Sequence, residues 1–326
     1  MTTTRRTLLK LAAAPLALRT LGAQAQVAWP DKPIRIVVGY PAGQTADLNA
    51  RQFANVISRE LGQPVIVDNR PGANGILGAQ EVKNSKPDGY TLLWGGSGPL
   101  AINPALYKKT PYDSVRDFTP ICLVTLGPLY LIANLSFPPN NLRELIAWAK
   151  AHPGKADYAT AGNGSTAHLA MKMLEADIGM QFNHIPYKGS PAALTDLMGG
   201  QIPLMLEAGT SAMNYIKAGK VKALGATGAQ RSPAMPDVPT MAEQGVKDFE
   251  ALAWNAIVAP AGTPAPVINA IAAAVRRGID DPATVKSIRA TGTQVAWMGP
   301  PELTRFLGTE ITKWKRAVEL SGAQVD

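Results

Sequence analysis

The sequence predicts an α/β protein built of two parallel-sheet, Rossmann-like domains joined by two crossing strands. Three observations carry this. Strand and helix patterns alternate along the chain, as in sheets whose parallel strands are linked by crossover helices. Two stretches, Pro33 to Leu61 and Asp157 to Ala176, each read as a strand, a glycine-bearing turn and a helix. Two strand-rich passages, 118–135 and 249–259, read as crossings. They divide the chain into a first domain of residues 26–127 and 254–326 and an inserted second domain of residues 128–253.

Ile34 to Val38 is a continuous apolar run, the mark of a strand covered on both faces. Pro41, Ala42, Gly43 and Gln44 form the turn that follows. Thr45 is read as the cap of the next helix, and Asp47 lies in its first turn, where the helix dipole favours an acid. Ala46, Ala50, Phe53, Ile57 and Leu61 give that helix one apolar stripe, and Gly62 ends it. Pro64 to Val67 is the next strand. A helix begins near Leu77, and the strand Tyr90 to Trp94 runs into Gly95-Gly96-Ser97-Gly98.

The first crossing is expected to break at Gly127-Pro128. Asn141 and Glu144 make a capping box, and Pro153-Gly154 stops that helix. In Asp157 to His168, a strand feeds Gly162 and Gly164 into a helix capped by Ser165 and Thr166. Such a turn aims backbone N–H groups and the positive end of a helix dipole at one spot, which suits a carboxylate or phosphate. Asn183 to Tyr187 is a strand, Ser190 caps a helix with Pro191 in its first turn, and Ile202 to Leu206 delivers Glu207 at a strand end. A helix from Ser211 and the strand Val221 to Ala226 follow. The proline-rich segment 232–240 leads into an expected short helix. Helices from Thr263-Pro264 to Arg277 and from Pro301 to Ser321 complete the chain.

Composition narrows the function. With 46% hydrophobic and 17% charged residues over 326 positions, the chain is globular. Its start reads as an export leader of residues 1–25: Arg5 and Arg6 precede the apolar stretch 11–21, and Ala23-Gln24-Ala25 is a cleavage signal. Removing Arg5, Arg6, Lys10 and Arg19 from 32 basic residues leaves 28 against 24 acids, or +4. That balance, without basic runs interleaved with aromatics, argues against nucleic acid. The single cysteine, Cys122, can form no internal disulfide. No His-x-x-x-His or Cys-x-x-Cys spacing supports a metal site.

The segments PIRIVVGYPAGQTAD, NRPGANGILGA, KPDGYTLLWG, INPALYKKTPYDSVRDFTPI, AGNGSTAH, PYKGSPAALTDLMGGQI and RSPAMPDVPTMAEQG occur in order. In these the chain resembles the Bug family, the periplasmic receptors of tripartite tricarboxylate transporters. The resemblance implies a two-lobed, type II-like periplasmic binding protein. It further implies a monomer without catalysis or cofactor that takes a small carboxylate, amino acid or aromatic acid in its cleft. It implies delivery of that ligand to the membrane subunits of a tripartite tricarboxylate system. By the same resemblance, the ligand turns fall on Pro41, Ala42, Gly43 and Gln44, with Asp47 ordering the helix start, and on Gly164, Ser165, Thr166 and His168. Ser97 lies at a strand end of the kind where ligands collect. The chain departs from the family at Gln44, where a second glycine is usual, and at Glu207, where an aspartate is common.

Plainer roles stand beside these. Ser165 and Thr166 serve as caps whether or not they touch a ligand. His168 is read either as a packed core histidine or as a ligand donor. Asp47 is read as a structural cap over a direct contact, since a carboxylate would repel an anion, and Lys188, which could supply charge after its strand, as a solvated surface lysine. Glu207 is either a cap or a partner for a cation in the cleft. Two enzyme readings compete. Gly162 to Ala167 fits the G-x-G-x-x-A of a dinucleotide site, but the next strand ends without an acid for the ribose. Gly95-Gly96-Ser97-Gly98-Pro99 lacks the last glycine of a serine hydrolase elbow.

Overall fold

The computed structural model describes residues 29–290 and 293–323, and the expected leader and its cleavage site lie outside them. Strand β1 (Ile34–Val38) is central in the first half, pairing in parallel with β2 (Val65–Asn69) and β3 (Thr91–Gly96). Helix α1 (Thr45–Leu61) links β1 to β2 and buries Ala50, Phe53 and Ile57. Gly62 ends it in the left-handed region, at φ 69°, where its N–H closes on Ser58 O. Gln44, extended, occupies the cap position assigned above to Thr45. Thr45 is the first helical residue, and no side-chain cap bond forms at Gln44. A 3-10 turn, Ala73–Gly75, leads into α2 (Ile76–Lys83). Beyond β3 a wide π turn, Gly98–Ile102, runs into the short α3 (Asn103–Leu106).

The expected break at Gly127-Pro128 does not occur. β4 (Phe118–Ala133) is one strand of 16 residues. Its neighbours change at that point instead. Residues up to Pro128 pair antiparallel with β9, and residues from Leu129 pair antiparallel with β7, and from Tyr130 with β8. Proline lacks a backbone donor, and it is tolerated where one ladder hands over to the next.

In the second half, α4 (Leu142–Ala151) starts at a cap where Asn141 Oδ1 accepts from Glu144 N at 2.9 Å. The reciprocal Glu144 carboxylate reaches the N–H of Asn140, not of Asn141, at 2.8 Å. β5 (Asp157–Thr160), α5 (Thr166–Ile178), β6 (Asn183–Pro186), α6 (Ser190–Met198) and β7 (Leu204–Ala208) follow, with β5 parallel to both β6 and β7. Then come α7 (Gly209–Lys217) and β8 (Lys222–Ala226).

The short helix expected after Thr240 is a single turn. Thr240 and Glu243 bond each other's backbone N–H at 3.1 and 2.7 Å, and Gly245 at φ 112° stops further winding. β9 (Leu252–Pro260) returns to the first half beside β4 and β3. After α8 (Ala265–Asp280), two elements not anticipated from the sequence appear: α9 (Pro282–Ala290) and β10 (Val295–Met298), which pairs with β4. α10 (Pro300–Ser321) buries Leu303, Leu307, Trp314 and Val318 and packs on both β4 and α5.

The continuous path is β2-β1-β3-β9-β4-β7-β5-β6. Each half has a parallel core, and the antiparallel β4 and β9 make the sheets mixed.

Candidate functional site

The carboxyl ends of β1, β3, β5, β6 and β7 converge on one cleft between the halves, the place where open α/β sheets hold ligands. It encloses about 140 Å³ and is walled by Tyr40, Gln44, Ser97, Thr166, Ser190 and Glu207, with Ala253 to Asn255 of β9 behind. A larger groove lies elsewhere, between α5 and α10. The smaller cleft is the one that strand ends and helix starts point into.

Three contacts close the cleft from one half to the other. Ser97 Oγ and Thr166 Oγ1 are 2.6 Å apart. Asn74 Nδ2 donates to Gly164 O at 3.1 Å. The hydroxyls of Thr45 and Ser211 bond directly.

Helices α1, α5 and α6 present their first residues Thr45, Ala46, Thr166, Ala167 and Ser190 to the cleft. First-turn N–H groups have no partner inside a helix. Each such terminus favours an anion by about 0.3–1 kcal/mol when exposed and up to about 2 kcal/mol when partly buried. Among the described residues, no Lys, Arg or His lines the cleft.

The residues singled out in the sequence divide into two groups. Gln44, Ser97, Ser165, Thr166 and Glu207 line the cavity. Pro41, Ala42 and Gly43 are exposed and do not, because the turn directs them outward. Gly43 N–H is spent on Asp47 Oδ2 at 2.8 Å. Asp47 is buried and also accepts from Arg51 and Asn69. Burial alone would raise its pKa, but the bonds from Arg51, Gly43 and Asn69 outweigh that and hold it below the ordinary carboxylate value. It therefore orders the turn from behind.

Gly164 and His168 also lie behind the wall. His168 Nδ1 accepts from Gly164 N–H at 3.2 Å, and its ring stacks on His184 at 4.1 Å between centroids. Burial, then His184 and Lys172, push His168 down to about 3, and burial with Lys172 pushes His184 down to about 4. Of the two readings of His168, the packed neutral imidazole is the one this geometry fits. A group with a depressed folded pKa of this kind stabilises the fold above about pH 6.5. That contribution is lost as pH falls toward 4 and then 3. Imidazole NMR shifts are expected to show both rings neutral at pH 5. A ring titrating near 6.5 would contradict the packing.

Glu207 lies in the wall and is only 4% exposed. Ala208 N–H donates to its Oε1 at 3.0 Å, and Ser190 and Ser211 hydroxyls reach it. Burial pushes its pKa up to about 7, partly offset by Ser190, Ala208 N–H and Ser211.

Tyr40, Ser190 and Ser211 were not singled out as site residues in the sequence. The sequence pattern predicts Ser190 as a helix cap, whereas the structure places Gly189 there and turns Ser190 toward Glu207. The signal available was its place after a strand end, the same position held by Ser97 and Gly164.

Among the described residues, neither enzyme reading gains a partner set. Ser97 is bonded to Thr166, and the hydrogen bonds of the three histidines run to Trp148 O, Gly164 N–H and Thr160. β6 ends at Pro186 with no acid.

Two α/β lobes with a cleft at their strand ends, lined by helix N-termini, define the class of two-lobed solute-binding proteins. Within it, the chain belongs to the tripartite tricarboxylate transporter family receptors, whose profile matches residues 49–322. It is similar to the periplasmic binding protein BugD, at 36% identity and TM-score 0.83 over 91% of this chain and 99% of that one. A Rhodopseudomonas palustris protein with adipate is 30% identical, with TM-score 0.86 over 91% of this chain and all of its own. MatC from the same organism, with bound malate, is 32% identical, with TM-score 0.80 over 89% and 99%. The family is one of receptors, and no described helix is long and apolar enough to cross a membrane.

Proposed function

We propose that the mature chain, beginning near Gln26, is a monomeric periplasmic receptor. It captures a small carboxylate between its lobes and delivers it to the membrane subunits of a tripartite tricarboxylate system. The observation that carries this is the pairing of helix N-termini from both halves, α1 and α5, across a cleft with no cationic side chain among the described residues. Dipoles and N–H donors attract a carboxylate without a fixed opposite charge, which suits a receptor that must release its cargo. The adipate and malate held by the similar proteins support the same ligand class.

In this reading Gln44, Ser97, Ser165, Thr166 and Glu207 contact the ligand. Pro41, Ala42, Gly43, Asp47, Gly164 and His168 shape the two turns. The lobes are residues 26–127 with 254–326 and residues 128–253, bending near Gly127 and near Ala253 to Asn255.

Calorimetric titration of the mature protein with malate, adipate, citrate and aspartate tests the ligand class, and small-angle scattering at saturation tests closure. Binding of at least one of these acids with a smaller radius of gyration is expected. No heat with any of them, or an unchanged scattering curve at saturation, would count against the reading.

A further inference from the structure

A cavity larger than the ligand cleft lies elsewhere on the surface. It is a groove of about 890 Å³ between α5 and α10, within the size range of small-molecule sites. We propose that this groove is a second binding site, for an amphipathic organic anion: an apolar chain or ring system carrying a carboxylate or sulfonate.

The floor is apolar, made by Met173 of α5 and by Ala317 and Leu320 of α10. Leu320, 55% exposed, adds apolar surface to the groove. Cations dominate the rim. Lys313 is held by the buried Glu310, and Arg316 faces Asp177. Lys247 and Arg305 have no ion-pair partner among the described residues, and Asp248 is the other acid at the edge. The free charge on offer is therefore positive.

Gly308 points the same way. A glycine inside a helix weakens it relative to alanine, so it calls for a reason. Gly278 in α8 has one, since a Cβ there would come within 2.0 Å of Val56 Cγ1. Gly308, mid-helix in α10, has no such neighbour: a Cβ would meet nothing within 4 Å. It lines the groove, and any side chain placed there would occupy the groove. The absent side chain keeps the groove deep.

This site does not depend on the carboxylate reading of the cleft, because no residue is shared between the two linings. The test uses the full mature protein and anilinonaphthalene sulfonate, an amphipathic anion that fluoresces when bound. One saturable site is expected, weakened at least tenfold by Gly308→Leu and severalfold by Arg305→Glu, and not displaced by malate. Leucine is the better helix former, so circular dichroism of Gly308→Leu should be unchanged. Many weak sites, unaltered binding in Gly308→Leu, or displacement by malate would overturn the proposal. So would an acidic amphipathic peptide that binds the groove while the sulfonate does not, since that marks a protein-docking surface.

Discussion

Replacing Gly164 with alanine is expected to weaken ligand affinity by roughly 5- to 100-fold, and Leu106→Ala is expected to restore most of that loss. Gly164 has φ +68°, and a Cβ on it would come within 2.1 Å of Leu106 Cδ2. The two penalties act on different states. The left-handed backbone costs a residue with a side chain about 1–2 kcal/mol whether the cleft is open or closed. Leu106 belongs to α3 of the first half, whereas Gly164 belongs to the turn of the second. In the hinged closure proposed above, their clash arises only on closing, and overpacking of this kind costs about 1–3 kcal/mol. Since only the closed state carries it, the clash appears in affinity, while the backbone penalty appears in thermal stability. A double-mutant cycle separates them. In Gly164→Ala with Leu106→Ala, affinity should recover while the stability loss persists. Equal affinity loss in the single and double variants would show that Leu106 does not limit closure.

Local chemistry made most of this fold legible. The apolar run of β1, the stripe of α1, the Gly62 stop and the Asn141–Glu144 cap are each written within a few residues, and each appears in the structure. What escaped the reading depends on partners distant in sequence. β10 is four half-buried residues that become a strand because β4 leaves an edge beside them. The same long β4 absorbs Gly127-Pro128, which looks like a break until the change of neighbours is known.

The site divides in the same way. The glycine turn before α5 was readable, because a strand, two glycines and a capping serine announce it. Which hydroxyls face one another was not, because the Thr45–Ser211 and Ser97–Thr166 contacts join residues 166 and 69 positions apart. For the same reason the sequence alone does not decide whether Glu207 is a cap or a cleft residue. The structure places it in the cleft wall, where the residues around it are uncharged.

That placement makes Glu207→Gln the most informative single change, with opposite effects on stability and on binding. A glutamate ordinarily titrates near 4.5, and this one is pushed up to about 7 by burial. The folded state therefore holds the proton more tightly than the unfolded state. The stabilisation this confers is complete below about pH 4.5 and is lost as pH rises through 7. The span corresponds to a loss on the order of 3 kcal/mol. Glutamine cannot ionise, so Glu207→Gln should be more stable than the parent at pH 8 and nearly equal to it at pH 4.5. The difference in melting temperature between the two proteins, followed from pH 4.5 to 8, isolates this carboxyl from His168 and His184, which both proteins share. A flat difference would mean that Glu207 is solvated and titrates normally. Binding follows from the same charge. An ionised carboxylate closed into the cleft needs a cation or further donors, and among the described residues only neutral groups, the Ser190 and Ser211 hydroxyls and Ala208 N–H, reach it. A ligand that brings an ammonium or hydroxyl to it supplies what the protein lacks. The carboxylate ligand proposed here is thus expected to be an amino or hydroxy acid. Its affinity should fall at least tenfold in Glu207→Gln if it carries an ammonium, with proton release on binding to the parent near pH 7. If citrate binds tightest instead, and Glu207→Gln leaves or improves that affinity, Glu207 serves the fold alone and the expected ligand class is wrong.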